Sequence, residues 1–221
     1  MDEKVNDVLL AFVDFLYAVV FGLIVAKIFD DTLLPEIHAA VKVKSLLLVL
    51  AVFYFLMWDW LHGRLLTLRN PFPSYRRFFI EVVIACCGYG AAARALEGRV
   101  SFLLYVAMIL FLGAIWASLT SNEYPESKDR RELTVIVELQ VLMAVIVVAF
   151  WIGSERQSGP IVGLMTTLRL IVLGWGAVFL YELFIRRQRG ILAGPGVPFI
   201  SFRQLEQIRH RLLLFWTRVR R

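Results

Sequence analysis

The chain has 221 residues, 59% of them hydrophobic and 19% charged, with a formal net charge of +6 and a mean hydropathy of +0.70. Apolar side chains in that proportion, gathered into long runs, exclude an ordinary soluble domain and a disordered tail and point to a polytopic membrane protein. Most of the charge lies between the runs, where it reports orientation before it reports partners.

The first run, residues 8–29, reads VLLAFVDFLYAVVFGLIVAKIF. As a helix it is about 33 Å long, against a hydrocarbon core of about 30 Å. It carries one carboxylate, Asp14, which at membrane depth costs on the order of 3 kcal/mol unless a partner answers it. Ala11, Ala18, Gly22 and Ala26 form a stripe of small side chains that lets another backbone approach, at an oligomer axis or against the second helix. The leading residues MDEKVND lack a basic n-region and a cleavage site, so the first helix is expected to remain as a span.

Five further runs predict spans at about 45–61, 78–95, 101–119, 132–153 and 160–185. The segment DDTLLPEIHAAVKVK after the first span has room for a short surface helix, and HGRLLTLRNPFPSYRR after the second reads as a loop broken by Pro71 and Pro73. Six spans put both termini on one side. That side would carry Lys4, Arg64, Arg69, Arg76, Arg77, Lys128, Arg130, Arg131 and nine arginines from Arg186 onward; the other would carry Lys42, Lys44, Arg94, Arg99 and Arg156. The asymmetry predicts cytoplasmic termini, in a prokaryotic inner membrane. The expected fold is all-α, with a six-helix transmembrane domain over 1–187 and a cytoplasmic extension over 188–221. In that extension a linker rich in Gly and Pro leads to Ser201 and Gln204, a capping box for a helix over 202–221. Leu205, Ile208, Leu212 and Phe215 form its apolar stripe. Arg203, Arg209, Arg211, Trp216 and Arg218 suit an anionic membrane surface or a neighbouring subunit, and nothing beyond charge speaks for nucleic acid.

The polar residues inside spans are Asp14, Asp59, Glu81, Glu138, Arg169 and Glu182. Glu81 is spaced to pair with Arg77, and Glu182 with Arg186, along their own helices. Asp59 sits between Trp58 and Trp60, in an expected aromatic belt. Asp14 and Glu138 each lie roughly 10 Å inside the same border, whereas Arg169 falls in the other half, so a Glu138–Arg169 bridge is not expected. The vicinal Cys86 and Cys87 read as reduced packing residues. Gly88-Tyr89-Gly90 lacks the Thr-Val and pore helix of a carbonyl filter and reads, with Ala91 and Ala92, as a packing face. His38, His62 and His210 lie on separate segments, so no metal and no cofactor is expected. No nucleophile–base pair or nucleotide motif supports an enzyme.

Phe12-Val13-Asp14-Phe15-Leu16-Tyr17-Ala18 resembles the Phe-Ser-Asp motif that opens the first helix of the endolysosomal potassium channel family, whose bacterial members have six spans. Ser45, Trp58 and the His62-Gly63-Arg64 run resemble the same family's second helix. Val13 and Phe15 stand where the family has Ser and Gly, and Gly22 where it has Thr. The resemblance implies a homotetramer conducting monovalent cations, potassium among them. Its axis would be faced by Leu16, Val20, Leu23 and Lys27 or by the neighbouring stripe with Ala18 and Gly22. It also implies that Phe12, Asp14 and Tyr17 hold the first two helices together, with Asp14 bonded to Trp58, Trp60 or His62. The other classes are a non-conducting scaffold that binds lipid or a partner through the basic helix, and a proton-coupled transporter using Asp14 and Glu138. The transporter is weakened by the lack of an inverted repeat.

Overall fold

Long apolar stretches without an internal proline satisfy every backbone polar group within the segment, and that is the route by which a chain crosses lipid. The computed structural model describes residues 3–33, 39–127, 129–158, 163, 165–172, 174 and 176. Backbone contacts divide the chain into two units, Met1–Gly174 and Trp175–Arg221, and of the second only Gly176 is described. The first unit contains α1 (Glu3–Ile28), α2 (Ala39–Arg69), α3 (Tyr75–Leu96), α4 (Phe102–Glu123) and α5 (Arg130–Ser158), with one π-helical stretch, Phe29–Leu33, closing α1. There is no strand among the described residues. All five long helices have the length and apolar composition to cross a membrane, as an α-helical membrane protein requires. Of the sixth expected span, 160–185, residues 165–172 are helical and most of the rest lie outside the described residues, as does the whole of 188–221.

Helix α1 buries Asn6, Leu10, Val13, Tyr17, Val20, Ile24 and Ile28 at steps of three and four, one face turned mainly to α3 and also to α2. Helix α3 packs on α2 and α4, and α4 on α5. The Gly88–Ala92 segment is helical and close-packed as its small residues suggest. A Cβ on Gly88 would lie 2.7 Å from Leu56 Cδ2, and one on Gly90 2.5 Å from Tyr105 Cε1. Leu56 is fully buried and has nowhere to retreat. Gly88→Val is therefore expected to lower stability by about 1–3 kcal/mol, read as an earlier thermal midpoint in detergent. Gly153→Val, where nothing lies within 4 Å, should leave the midpoint unchanged.

The second helix departs from expectation. It runs to Arg69, so His62, Gly63 and Arg64 are helical and the turn shrinks to residues 70–74. Gly63 does not stop it, because nothing before Pro71 removes a backbone donor. Asn70 ends the helix with its backbone N–H 2.9 Å and its side-chain amide 3.2 Å from the Leu66 carbonyl. The proline after it disfavours a further helical residue.

The turn is held from all sides. Phe72 donates its backbone N–H to Asn6 Oδ1 of α1 at 2.9 Å, and the Asn70 amide reaches Asp129 Oδ2 at 3.1 Å. Tyr124 donates its hydroxyl to the Pro71 carbonyl at 2.8 Å. Arg77, 0% exposed, donates to the carbonyls of Asn70 at 2.9 Å and Pro71 at 3.1 Å and meets Glu123 at 3.3 Å. The start of α1, the end of α2, the start of α3 and the end of α4 thus gather at one end of the bundle. The expected Arg77–Glu81 pair along α3 does not form. The guanidinium is turned to the carbonyls of the turn, which only a fork of several donors can satisfy together.

Candidate functional site

The polar groups of the spans fall into three places. The first joins α1 to α2. Trp60 and Arg64, one turn apart on α2, both reach Asp14: the indole N–H donates to Oδ1 at 3.3 Å, and Arg64 Nη2 lies 2.9 Å from Oδ2. The sequence leads one to expect a Trp60 donor, whereas its composition places Arg64 in a loop. Once α2 is continued to Arg69, the i,i+4 spacing of Trp60 and Arg64 puts both on the face that meets α1. Tyr17 lies beside Trp60 at 6.3 Å, and Phe21 meets Phe53 at 5.0 Å, which completes an aromatic seam. Phe12 departs from its expected role, since its ring packs on Phe78 of α3 at 5.7 Å. Trp58 stacks on His62 at 5.4 Å, and His62 faces Glu132 of α5 at 3.6 Å, a contact with no signal in the sequence.

Asp14 is answered by one neutral and one charged donor and is half-buried. Asp14→Ala removes the acceptor and leaves Arg64 without that contact, so a loss of about 1–3 kcal/mol is expected by thermal unfolding. Asp14→Asn, which keeps an acceptor, should recover part of it.

The second place holds two half-buried acids, Asp59 of α2 and Glu81 of α3. Glu81 Oε1 lies 3.3 Å from the hydroxyl of buried Thr67. The third is the outward side of α1. Ala11, Phe15, Ala18, Gly22, Leu23 and Ala26 are exposed, and a Cβ on Gly22 would meet nothing within 4 Å. The small stripe therefore does not pack against α2, the alternative the sequence left open. Of the other candidates for an axis, Val20 is buried in the core of the chain, Leu16 is partly buried against that core, and Lys27 pairs with Asp31 one turn on. The Leu16–Val20 side is turned inward because it continues the three-and-four repeat of the core.

Glu138 and Arg169 are both exposed and are not paired with each other. Cys86 is exposed, Cys87 is buried, and both are free. Among the described residues no three His, Cys, Asp or Glu side chains gather as a metal site. Arg203, Arg209, Arg211, Trp216 and Arg218 lie outside the described residues. Comparison with family models, curated proteins and solved structures returns no match.

Proposed function

We propose that the chain is one subunit of a homo-oligomeric cation channel, a tetramer by the resemblance, with α1 facing the axis and monovalent ions passing along it in a prokaryotic inner membrane. One observation carries the reading. Opposite the face that α1 buries in its own subunit, the small residues Ala18 and Gly22 are uncovered, beside the exposed Phe15 and Leu23. In lipid there is no hydrophobic drive between helices, so close approach over small residues is what lets α1 meet a copy of itself. The Asp14–Trp60–Arg64 contact supports the same reading, since the acid then braces α1 on α2 and leaves its outer side free for assembly.

Cysteine cross-linking tests it. In a background of Cys86→Ser and Cys87→Ala, Ala18→Cys is expected to give cross-linked oligomers under mild oxidation in native membranes. Ile24→Cys, whose side chain is buried in its own subunit, should give none. Equal absence of cross-links at both positions sinks the assembly. Conduction with Ala18 uncrosslinked would assign the axis to another helix. A protein that assembles but passes no ion would be a scaffold anchored by its basic extension.

A further inference from the structure

The turn between α3 and α4 gathers charge that its own residues do not balance. Arg94, near the end of α3, and Arg99, beyond the turn, reach the same oxygen of Glu97. Arg94 Nη1 lies 2.9 Å and Arg99 Nε 3.1 Å from Oε2. One carboxylate does not neutralise two guanidiniums, and each guanidinium keeps N–H donors that Glu97 does not use. Lys44 of α2 brings a third cation. Gly98 stands between Glu97 and Arg99 with φ at 66°, and a Cβ there would lie 3.2 Å from Lys44 Nζ. The glycine thus serves the left-handed backbone of the turn and leaves room for the ammonium against it. Among the described residues Lys44 meets no carboxylate. Of the acids that follow α1, Asp31 is taken by Lys27 and Asp30 is exposed.

Place makes the excess charge informative. The turn joins two helices of span length, so it lies at the depth of the lipid headgroups. The cations are open to that layer, with Arg99 57% and Arg94 39% exposed. Below the turn Val83 and Tyr89 of α3 are exposed, and Val43 is exposed beside Lys44. A ligand suited to this place has an anionic head with several acceptor oxygens and an apolar body. An acidic phospholipid has both, whereas a free phosphate ion has only the first. A zwitterionic lipid carries the same phosphate but adds a quaternary ammonium that the three cations repel.

We infer that Lys44, Arg94 and Arg99 hold the headgroup phosphate of an acidic phospholipid at the α3–α4 turn. Glu97 positions the two guanidiniums, and their remaining N–H groups and the Lys44 ammonium meet the phosphate oxygens. The site rests neither on the channel reading nor on the basic extension over 188–221, because binding is read at the turn itself.

Photo-cross-linking of the full-length protein in liposomes tests it. Phosphatidylglycerol with a diazirine in its headgroup is photolysed, and mass spectrometry maps the adducts by peptide. Residues 97–101 are expected to be labelled about fivefold more than by the matched phosphatidylcholine probe. Lys44→Ser and Arg99→Gln should each lower that labelling by about fivefold, as the loss of one basic residue near an anionic lipid does. Arg156→Gln, which removes an exposed arginine near the end of α5, should leave it unchanged. Equal labelling of the turn by the two probes, or labelling that survives both substitutions, overturns the site. Displacement of the probe by inorganic phosphate, with ionic strength held by chloride, overturns the lipid and assigns a free anion. Should Lys44→Ser fail to fold, Arg99→Gln decides alone, since that side chain is exposed.

Discussion

Arg77→Ala is expected to lower the stability of the bundle by about 3–5 kcal/mol, more than Gly88→Val or Asp14→Ala should. The guanidinium is fully buried, donates to two turn carbonyls and to Glu123, and is clasped between the rings of Phe72 at 5.3 Å and Trp116 at 4.7 Å. Removing it strands a carboxylate and two carbonyls in the interior and opens a gap between the rings. Four helix ends meet at the turn that Arg77 supports, so the damage should spread beyond one contact. Arg77→Lys should restore little, because a point ammonium cannot serve the three acceptors in their fixed directions. Thermal unfolding in detergent, followed by the loss of the monodisperse peak, reads the effect. A midpoint within error of the wild type for Arg77→Ala would mean that the turn is held by Tyr124 and Asn6 instead.

Gly22→Leu is expected to leave the subunit folded and to abolish assembly or ion flux, with flux falling about tenfold or more, the equivalent of about 1.4 kcal/mol. Within the subunit the new side chain has open space, so its own fold is not burdened. In the proposed assembly it would stand where two backbones approach. Asp14→Ala should show the reverse signature, a modest loss of stability with less damage to assembly. The two variants therefore separate the inner and outer sides of α1. If Gly22→Leu is silent in both cross-linking and flux, that side of α1 faces lipid.

The positions of the five described long helices are legible because each is a long apolar run, and that signal needs no knowledge of neighbours. The ends are less so. His62-Gly63-Arg64 resembles a loop by composition, yet α2 continues through it because Pro71 is the first residue to deny the backbone a donor. That extension hides Arg64 as the partner of Asp14, although the need for a donor and the Trp60 candidate are both readable from one acid in an apolar helix. Arg77 misleads for a related reason. Spacing along one helix offers Glu81, while the turn folds back and offers Glu123 and two carbonyls from 46, 7 and 6 residues away. Val20 suggests itself for the axis through its proximity to Leu16 and Leu23, but the repeat Leu10, Val13, Tyr17, Val20, Ile24 carries it into the core.

Potassium flux through the purified protein in liposomes tests the channel most directly. Vesicles loaded with potassium are diluted into a potassium-free medium, and a protonophore coupled to a pH-sensitive dye reports the ion leaving. Protein-dependent flux that is lost with Gly22→Leu and largely kept with Gly153→Val is the result expected. Flux no faster than in protein-free vesicles, from protein that is folded and oligomeric, would contradict conduction.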